Sequence, residues 1–260
     1  MHFQKLMLVV ALLFATGLAT RAQSTQLYND MSRAERRAFV SDQARRIARE
    51  ISGSDYEFTV AFEEDIKSAV TQYAQRVGNP NADLKLVFQR GQTQAPLISA
   101  TFRARNVSPL IGLYLPWIES EYQNSQPADS KGAVGIYQFM PATGERFGLS
   151  TQDLLDVGKS ADAAAQYITA SLEKLKEDPM KEALAVLAYN RGIQATMRDL
   201  KFLEGHKSQC SICTITADRS KRDETFSYEN ALYVPRFFAA AIVGENPKVF
   251  GVKMQALSTY

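Results

Sequence analysis

A single carboxylate, Glu119, follows an apolar run that contains Leu110, Ile111, Leu113, Tyr114, Leu115, Trp117 and Ile118. A helix apolar on nearly every face is buried, and a carboxylate is almost never fully buried without a partner. Glu119 therefore either emerges at a surface or is held against apolar groups for a purpose. Desolvation there raises a carboxyl's pKa, so that it is protonated and able to donate near neutral pH. A glycosidase general acid needs that property. A lone Glu at a helix end is far more often structural, so the reading needs further groups. Thirteen residues on, GAVGIYQFMPATG brings together Gly132, Gly135, Gln138, Met140 and Pro141. Glycines let a backbone approach a ligand closely. Gln138 offers a donor and an acceptor for sugar hydroxyls or N-acetyl groups. A third cluster, AYNRG, sets Tyr189 and Asn190 where a helical pattern ends at Gly192. Each cluster alone has an ordinary reading: a helix end, a Gly-rich loop entering a helix, a helix cap beside a core tyrosine.

Composition removes several other chemistries. The chain has 260 residues, 45% hydrophobic and 22% charged, which is globular composition for one large or two small domains. Its first 22 residues read as a secretory signal peptide, with Lys5, an apolar run Leu6–Ala19 and a small-x-small site at Thr20-Arg21-Ala22. That run is shorter than the ~20 residues of a membrane span, and no Cys follows it to carry a lipid. Removing Lys5 and Arg21 from the 30 basic residues leaves 28 against 28 acidic ones. A neutral mature chain gives no reason to expect nucleic acid or an anionic membrane. Only His206 would remain of two histidines, which excludes a His-rich zinc site and leaves a serine triad one choice. Cys210 and Cys213 are spaced CSIC in a polar stretch, residues 204–224. In an exported protein that spacing reads as a local disulfide before a redox or metal motif.

The elements that must position these residues read as helices. Asp30 is a candidate cap for a first helix with a stripe of Ala38, Phe39, Ile47 and Ile51 among solvated arginines. Phe62, Ile66, Val70 and Tyr73 recur at helical spacing. GNPNAD marks a turn, and two helical segments follow near 84–90 and 94–105. Ser108-Pro109 starts the helix that carries Glu119, with Pro116 expected to kink it. SQPADSKGAVG is a loop. Ser160 opens a helix with Ala164, Ile168, Leu172 and Leu175 on one face, Asp178-Pro179 starts the next, and a last one runs through YENALYVPRFFAAAIVG. No strand or repeat is visible. The expected class is all-α.

The order and spacing of ES, G-x-x-G-x-x-Q-x-M-P and A-Y-N-x-G resemble the soluble lytic transglycosylase family of peptidoglycan-cleaving enzymes. The stretch FEEDIKSAVTQYAQ…LVFQRGQTQAPLISATFRARNVSPLIGLYLPWIES and the closing DETFSYENALYVPRFFAA are similar to the membrane-bound lytic murein transglycosylase D type, so the likeness covers roughly 57–245. It implies a goose-lysozyme-like helical catalytic domain over 108–260, preceded by an N-terminal helical extension over 23–107. It implies Glu119 as the catalytic acid and base, oriented by Ser120. Tyr137, Gln138, Met140, Tyr189, Asn190 and Tyr233 would shape a groove around glycan strands, with no cofactor or metal. Tyr137 stands where the type usually has Trp, and Asp129 beside Ser130 where members often have a sugar-contacting Ser. The chain ends at Tyr260 without LysM repeats, so wall retention is expected from the groove or a partner. The implied place is the periplasm. Two alternatives stay open: a lysozyme-type hydrolase, which needs a second carboxylate such as Asp129 or Glu145, and a non-catalytic glycan-binding protein.

Overall fold

The computed structural model describes residues 26–79, 83–125, 132–203, 209–221 and 223–260. Residues 1–22, Asp129, Ser130 and His206 lie outside them. The described residues form ten α-helices joined by 3-10 turns and one π-helical turn, with no strand. Helix α1 (Arg33–Ser52) starts at Ser32, not Asp30, because Ser32 and Glu35 satisfy each other's backbone N–H in a reciprocal box. Asp30 belongs to the preceding 3-10 turn. Its buried row is Val40, Ala44, Ile47, Ala48 and Ile51, whereas Ala38 is exposed and Phe39 half-buried. Two alanines complete the row, and small residues are poor markers of a face until a neighbour packs against them. Its arginines pair along the solvent face, as Arg46 with Glu50 at 2.6 Å.

Helix α2 (Val60–Ala74) buries Phe62, Ile66 and Val70 and packs against α10 (Tyr233–Glu245). The two segments read near 84–90 and 94–105 are one helix, α3 (Leu84–Ala104). Gly91, Gln92 and Thr93 lie between them, but Leu84, Val87, Phe88, Gly91, Ala95, Ile98 and Phe102 keep an unbroken buried row across the gap. Helix α4 (Pro109–Ser120) is the central element, buried from Leu110 to Ile118 and flanked by α1, α3, α6 and α10. Ser108 precedes it as expected, but its hydroxyl donates to Glu50 O at 3.1 Å instead of capping.

The short α5 (Pro141–Glu145) follows a hairpin turn. Helix α6 (Val157–Lys174) starts three residues before Ser160, because Asp156 accepts from Lys159 N. Helices α7 (Lys181–Arg191) and α8 (Ile193–Lys201) meet at Gly192. The cysteines do not lie in a polar connector. They are disulfide-bonded and buried at the start of α9 (Ser211–Ala217), beside buried Ile212 and Ile215. One continuous apolar core runs from Tyr28 to Leu257. Helix α3, from the segment 23–107, packs on α4 and α6, so the core crosses residue 107 without a break. Among the described residues no helix is long and apolar enough to cross a membrane.

Candidate active site

Glu119 occupies the last turn of α4. That end of a helix carries partial negative charge and disfavours a carboxylate. The helix then breaks off sharply: Glu121 and Tyr122 both adopt left-handed backbone, φ 51° and 59°. Side chains restrain this costly conformation. Arg76 grips the Glu121 carboxylate with both guanidinium arms at 2.5 and 2.9 Å, Arg90 donates to Glu121 O at 2.7 Å, and the Tyr122 hydroxyl donates to Leu113 O at 2.6 Å. Glu121 thus lines a separate cleft of about 330 Å³ with Tyr73, Arg76 and Arg236.

Beside Glu119 stands the hairpin turn Val134–Phe139, whose ends exchange backbone hydrogen bonds at 2.9 and 3.1 Å. Gly135 holds φ 73° and Gln138 φ 49° within it. Ser120 donates to Ile136 O at 2.7 Å and Tyr189 to Tyr137 O at 2.9 Å, which ties the hairpin to α4 and α7. Tyr137, expected to help shape the groove, offers it no exposed face. Its ring lies wholly buried under the hairpin, stacks on Phe102 at 6.3 Å and donates its hydroxyl to Gly112 O at 2.9 Å. Val134, Ile136 and Tyr137 are all buried in this turn, and hydropathy alone cannot tell an inward tyrosine from an outward one. Gln138 donates one hydrogen of Nε2 to Gly135 O at 2.8 Å, which leaves Oε1 as its acceptor. Met140 is exposed at the start of α5.

Tyr189 packs between Phe139 and Tyr167, with ring centroids 5.8 and 5.4 Å away. Asn190, the next residue, is exposed. From the opposite side, Tyr233 at the start of α10 donates its hydroxyl to Glu119 Oε1. Arg236 follows one turn on and reaches Ile118 O at 3.4 Å. The structure thus gathers Glu119, Ser120, Tyr189 and Tyr233 around one carboxyl, with Gln138 on the attached hairpin.

Burial pushes the Glu119 carboxyl up to about 7, against smaller lowering effects of the Tyr233 hydrogen bond and the Arg236 charge. Desolvation and the nearby Glu119 push the Tyr233 and Tyr189 hydroxyls well above 10, so both remain protonated donors. A carboxyl with this pKa can both give and accept a proton near neutral pH. Arg236 is a residue that sequence reasoning passed over; its signal is the helical i, i+3 spacing from Tyr233, which places it on the same face.

Phenylalanine at position 233 tests the hydrogen bond. The hydroxyl stabilises the ionised carboxylate, so Tyr233→Phe raises the Glu119 pKa further. Activity that requires protonated Glu119 then persists to higher pH. The alkaline limb of the pH–rate profile should move up by roughly one pH unit. A limb that stays in place or moves down would assign it to another group.

Residues 96–209 match the model of the Transglycosylase SLT domain. That span includes Glu119, the hairpin, Tyr189 and Asn190, and its lysozyme-like class is the all-helical one described above. The chain is 24% identical over 158 residues to Membrane-bound lytic murein transglycosylase D of Escherichia coli strain K12, covering 60% of this chain and 32% of that protein. The protein of the same name from Escherichia coli O6:H1 strain CFT073 matches with the same identity and coverage. The chain thus spans about a third of the length of the curated relatives it matches. Residues 96–209, which carry Glu119 and the loops around it, are thus similar to the Transglycosylase SLT domain family.

Proposed function

We propose that this chain is a peptidoglycan lytic transglycosylase in which Glu119 is the single acid and base. The observation that carries the reading is a carboxyl with its pKa at about 7, hydrogen-bonded by Tyr233 and walled by Tyr189 and the hairpin. Protonated Glu119 gives its proton to the oxygen that joins N-acetylmuramic acid to N-acetylglucosamine. As that bond breaks, positive charge develops on the muramic ring. The resulting carboxylate takes the proton of the same sugar's 6-hydroxyl, whose oxygen closes on the anomeric carbon. One carboxyl is used twice, and water is not consumed.

Among the described residues, the nearby carboxylates favour this choice over hydrolysis. Glycoside hydrolysis by paired carboxyls needs a second one ~5 to ~9.5 Å from the first. Glu121 is committed to Arg76 and turned toward the other cleft, and Glu145 is exposed at the end of α5. The 6-hydroxyl is tethered to the reacting sugar, and well-oriented intramolecular attack reaches effective molarities of ~10⁵–10⁸ M against ~55 M for water. The N-terminal leader-like segment and the Cys210–Cys213 disulfide favour an exported enzyme working in the periplasm. Mass spectrometry of purified sacculi after digestion tests the reading. New ends should be 1,6-anhydro-N-acetylmuramic acid, a water lighter than hydrolysed ends and inert to borohydride. Reducing ends would replace it with a lysozyme-type hydrolase and send the search to Asp129 and Glu145.

A further inference from the structure

Asn190 and Asn230 face each other across the end of α7. Asn230 Nδ2 donates to Asn190 Oδ1 at 2.6 Å, and Asn230 Oδ1 accepts from Arg191 Nη1 at 3.1 Å. The two ends of an amide have nearly the same shape, but here chemistry tells them apart. A guanidinium only donates, so the Asn230 atom facing Arg191 has to be its oxygen. The other end of Asn230 is then NH₂ and requires an acceptor, which makes the facing atom of Asn190 an oxygen too. The remaining atom of Asn190 is Nδ2, a donor that makes no hydrogen bond within the described residues. Asn190 is exposed, while Asn230 is buried.

Arg191 is in no position to turn away. Its side chain is 6% exposed. Nε and Nη2 hold Asp199 at 2.7 and 3.3 Å, Nη2 and Nη1 hold Asp223 at 2.5 and 3.2 Å, and the guanidinium lies over the Phe226 ring at 5.0 Å. The direction of donation therefore runs from Arg191 through Asn230 to Asn190. This chain of amides sits between two elements of the candidate site: Asn190 follows Tyr189, and Asn230 precedes Tyr233 by three residues.

We infer that Arg191 and Asn230 are positioning residues that set the polarity of Asn190, so that the groove meets a glycan there with a hydrogen-bond donor. The inference rests on reading the site as a glycan groove. The matching ligand group is an acceptor oxygen, such as an N-acetyl carbonyl or a sugar hydroxyl oxygen. Gln138 adds an acceptor, because one hydrogen of its NH₂ goes to Gly135 O, which fixes the amide's orientation and leaves its oxygen available. The two amides thus offer complementary ends to a substrate rich in acetamido groups.

Asn230→Asp is the informative variant, since it reverses the relay without touching the groove surface. Its carboxylate still accepts from Arg191, but its second oxygen now faces Asn190. Asn190 has to rotate to donate inward and turns its own oxygen outward. In the full chain carrying Glu119→Gln, which binds without cleaving, the Kd for N,N′,N″,N‴-tetraacetylchitotetraose should rise about tenfold, the scale of one lost hydrogen bond plus a misplaced acceptor. On sacculi, the same change in otherwise wild-type protein should raise KM and leave kcat within about twofold, as expected for loss of uniform binding. Adding Asn190→Ala should cause no further loss, because the effect passes through Asn190. If Asn230→Asp disturbs the fold by thermal melting, Asn190→Asp decides alone: it offers only oxygens outward and should bind no better than Asn190→Ala. An unchanged Kd in Asn230→Asp, additive losses, or an Asn190→Asp that binds like Asn190 would overturn the inference. Wild-type protein inert on sacculi would overturn the functional reading instead, and the chitotetraose titration would still report on polarity.

Discussion

Replacing Glu119 with Gln is expected to abolish lysis of purified sacculi while leaving the helical circular dichroism spectrum unchanged. Gln is nearly isosteric and can still accept the Tyr233 hydrogen bond, but it neither gives nor takes a proton. General acid–base catalysis is worth ~10²–10⁴ in rate, and here both transfers would be lost. The same substitution should stabilise the protein, and the sign depends on pH. The folded carboxyl titrates at about 7, above its ordinary 4.5. Below pH 4.5 both folded and unfolded chains hold the proton and Glu119 has no effect. Between those values the folded state binds more protons, so stability falls as pH rises, and above about 7 the full cost of a desolvated carboxylate is present. Glu119→Gln removes that cost, which amounts to as much as ~3 kcal/mol. Thermal melts should therefore show a higher Tm for the variant at pH 8 and nearly equal values at pH 4. Substantial lysis by the variant would move the acid elsewhere, and a lower Tm at pH 8 would remove the strain assigned to Glu119.

Gly135→Ala is expected to cost at least ~3 kcal/mol and most of the activity. Gly135 holds φ 73°, and a Cβ there would lie 2.2 Å from the backbone oxygen of Leu154. Backbone has no rotamer to yield, so the hairpin would have to shift. The hairpin carries Ile136 O and Tyr137 O, the acceptors for Ser120 and Tyr189, so a shift loosens the wall beside Glu119. Gly132→Ala is the matched control: φ is 68°, but among the described residues a Cβ meets nothing within 4 Å. It should cost only the ~1 kcal/mol of the left-handed conformation. Denaturant melts and lysis rates of the two variants separate overlap from backbone strain. Equal, small effects would show that the turn is free to move away from Leu154.

Several positions are decided by their surroundings in space and not by residue type alone. Tyr137 stands where the related type usually has Trp, but its ring is buried against Phe102 with its hydroxyl on Gly112 O, contacts between residues far apart in sequence. Asp30 suits a cap by residue type, but Ser32 has the partner Glu35 three residues on and caps α1 instead. Residues 84–90 and 94–105 read as two segments, but one buried row joins them as α3. The cysteines were placed in a polar connector, since the few apolar residues that bury α9 become a face only against a neighbouring helix.

The sequence by itself determined the helical class, the apolar run that ends in Glu119, the order of the three clusters and the pairing of Cys210 with Cys213. These are local matters: hydrophobic period, turn residues and short spacing are written in consecutive positions. Only the tertiary structure decided what surrounds the carboxyl. Tyr233 lies 114 positions from Glu119 and Arg236 lies 118 from Ile118, and no local pattern brings such residues together. The pKa of Glu119, the tie of the hairpin to two helices, and the relay from Arg191 to Asn190 arise from that convergence. Desolvation and hydrogen-bond direction depend on which groups meet in space, and packing around α4 sets that.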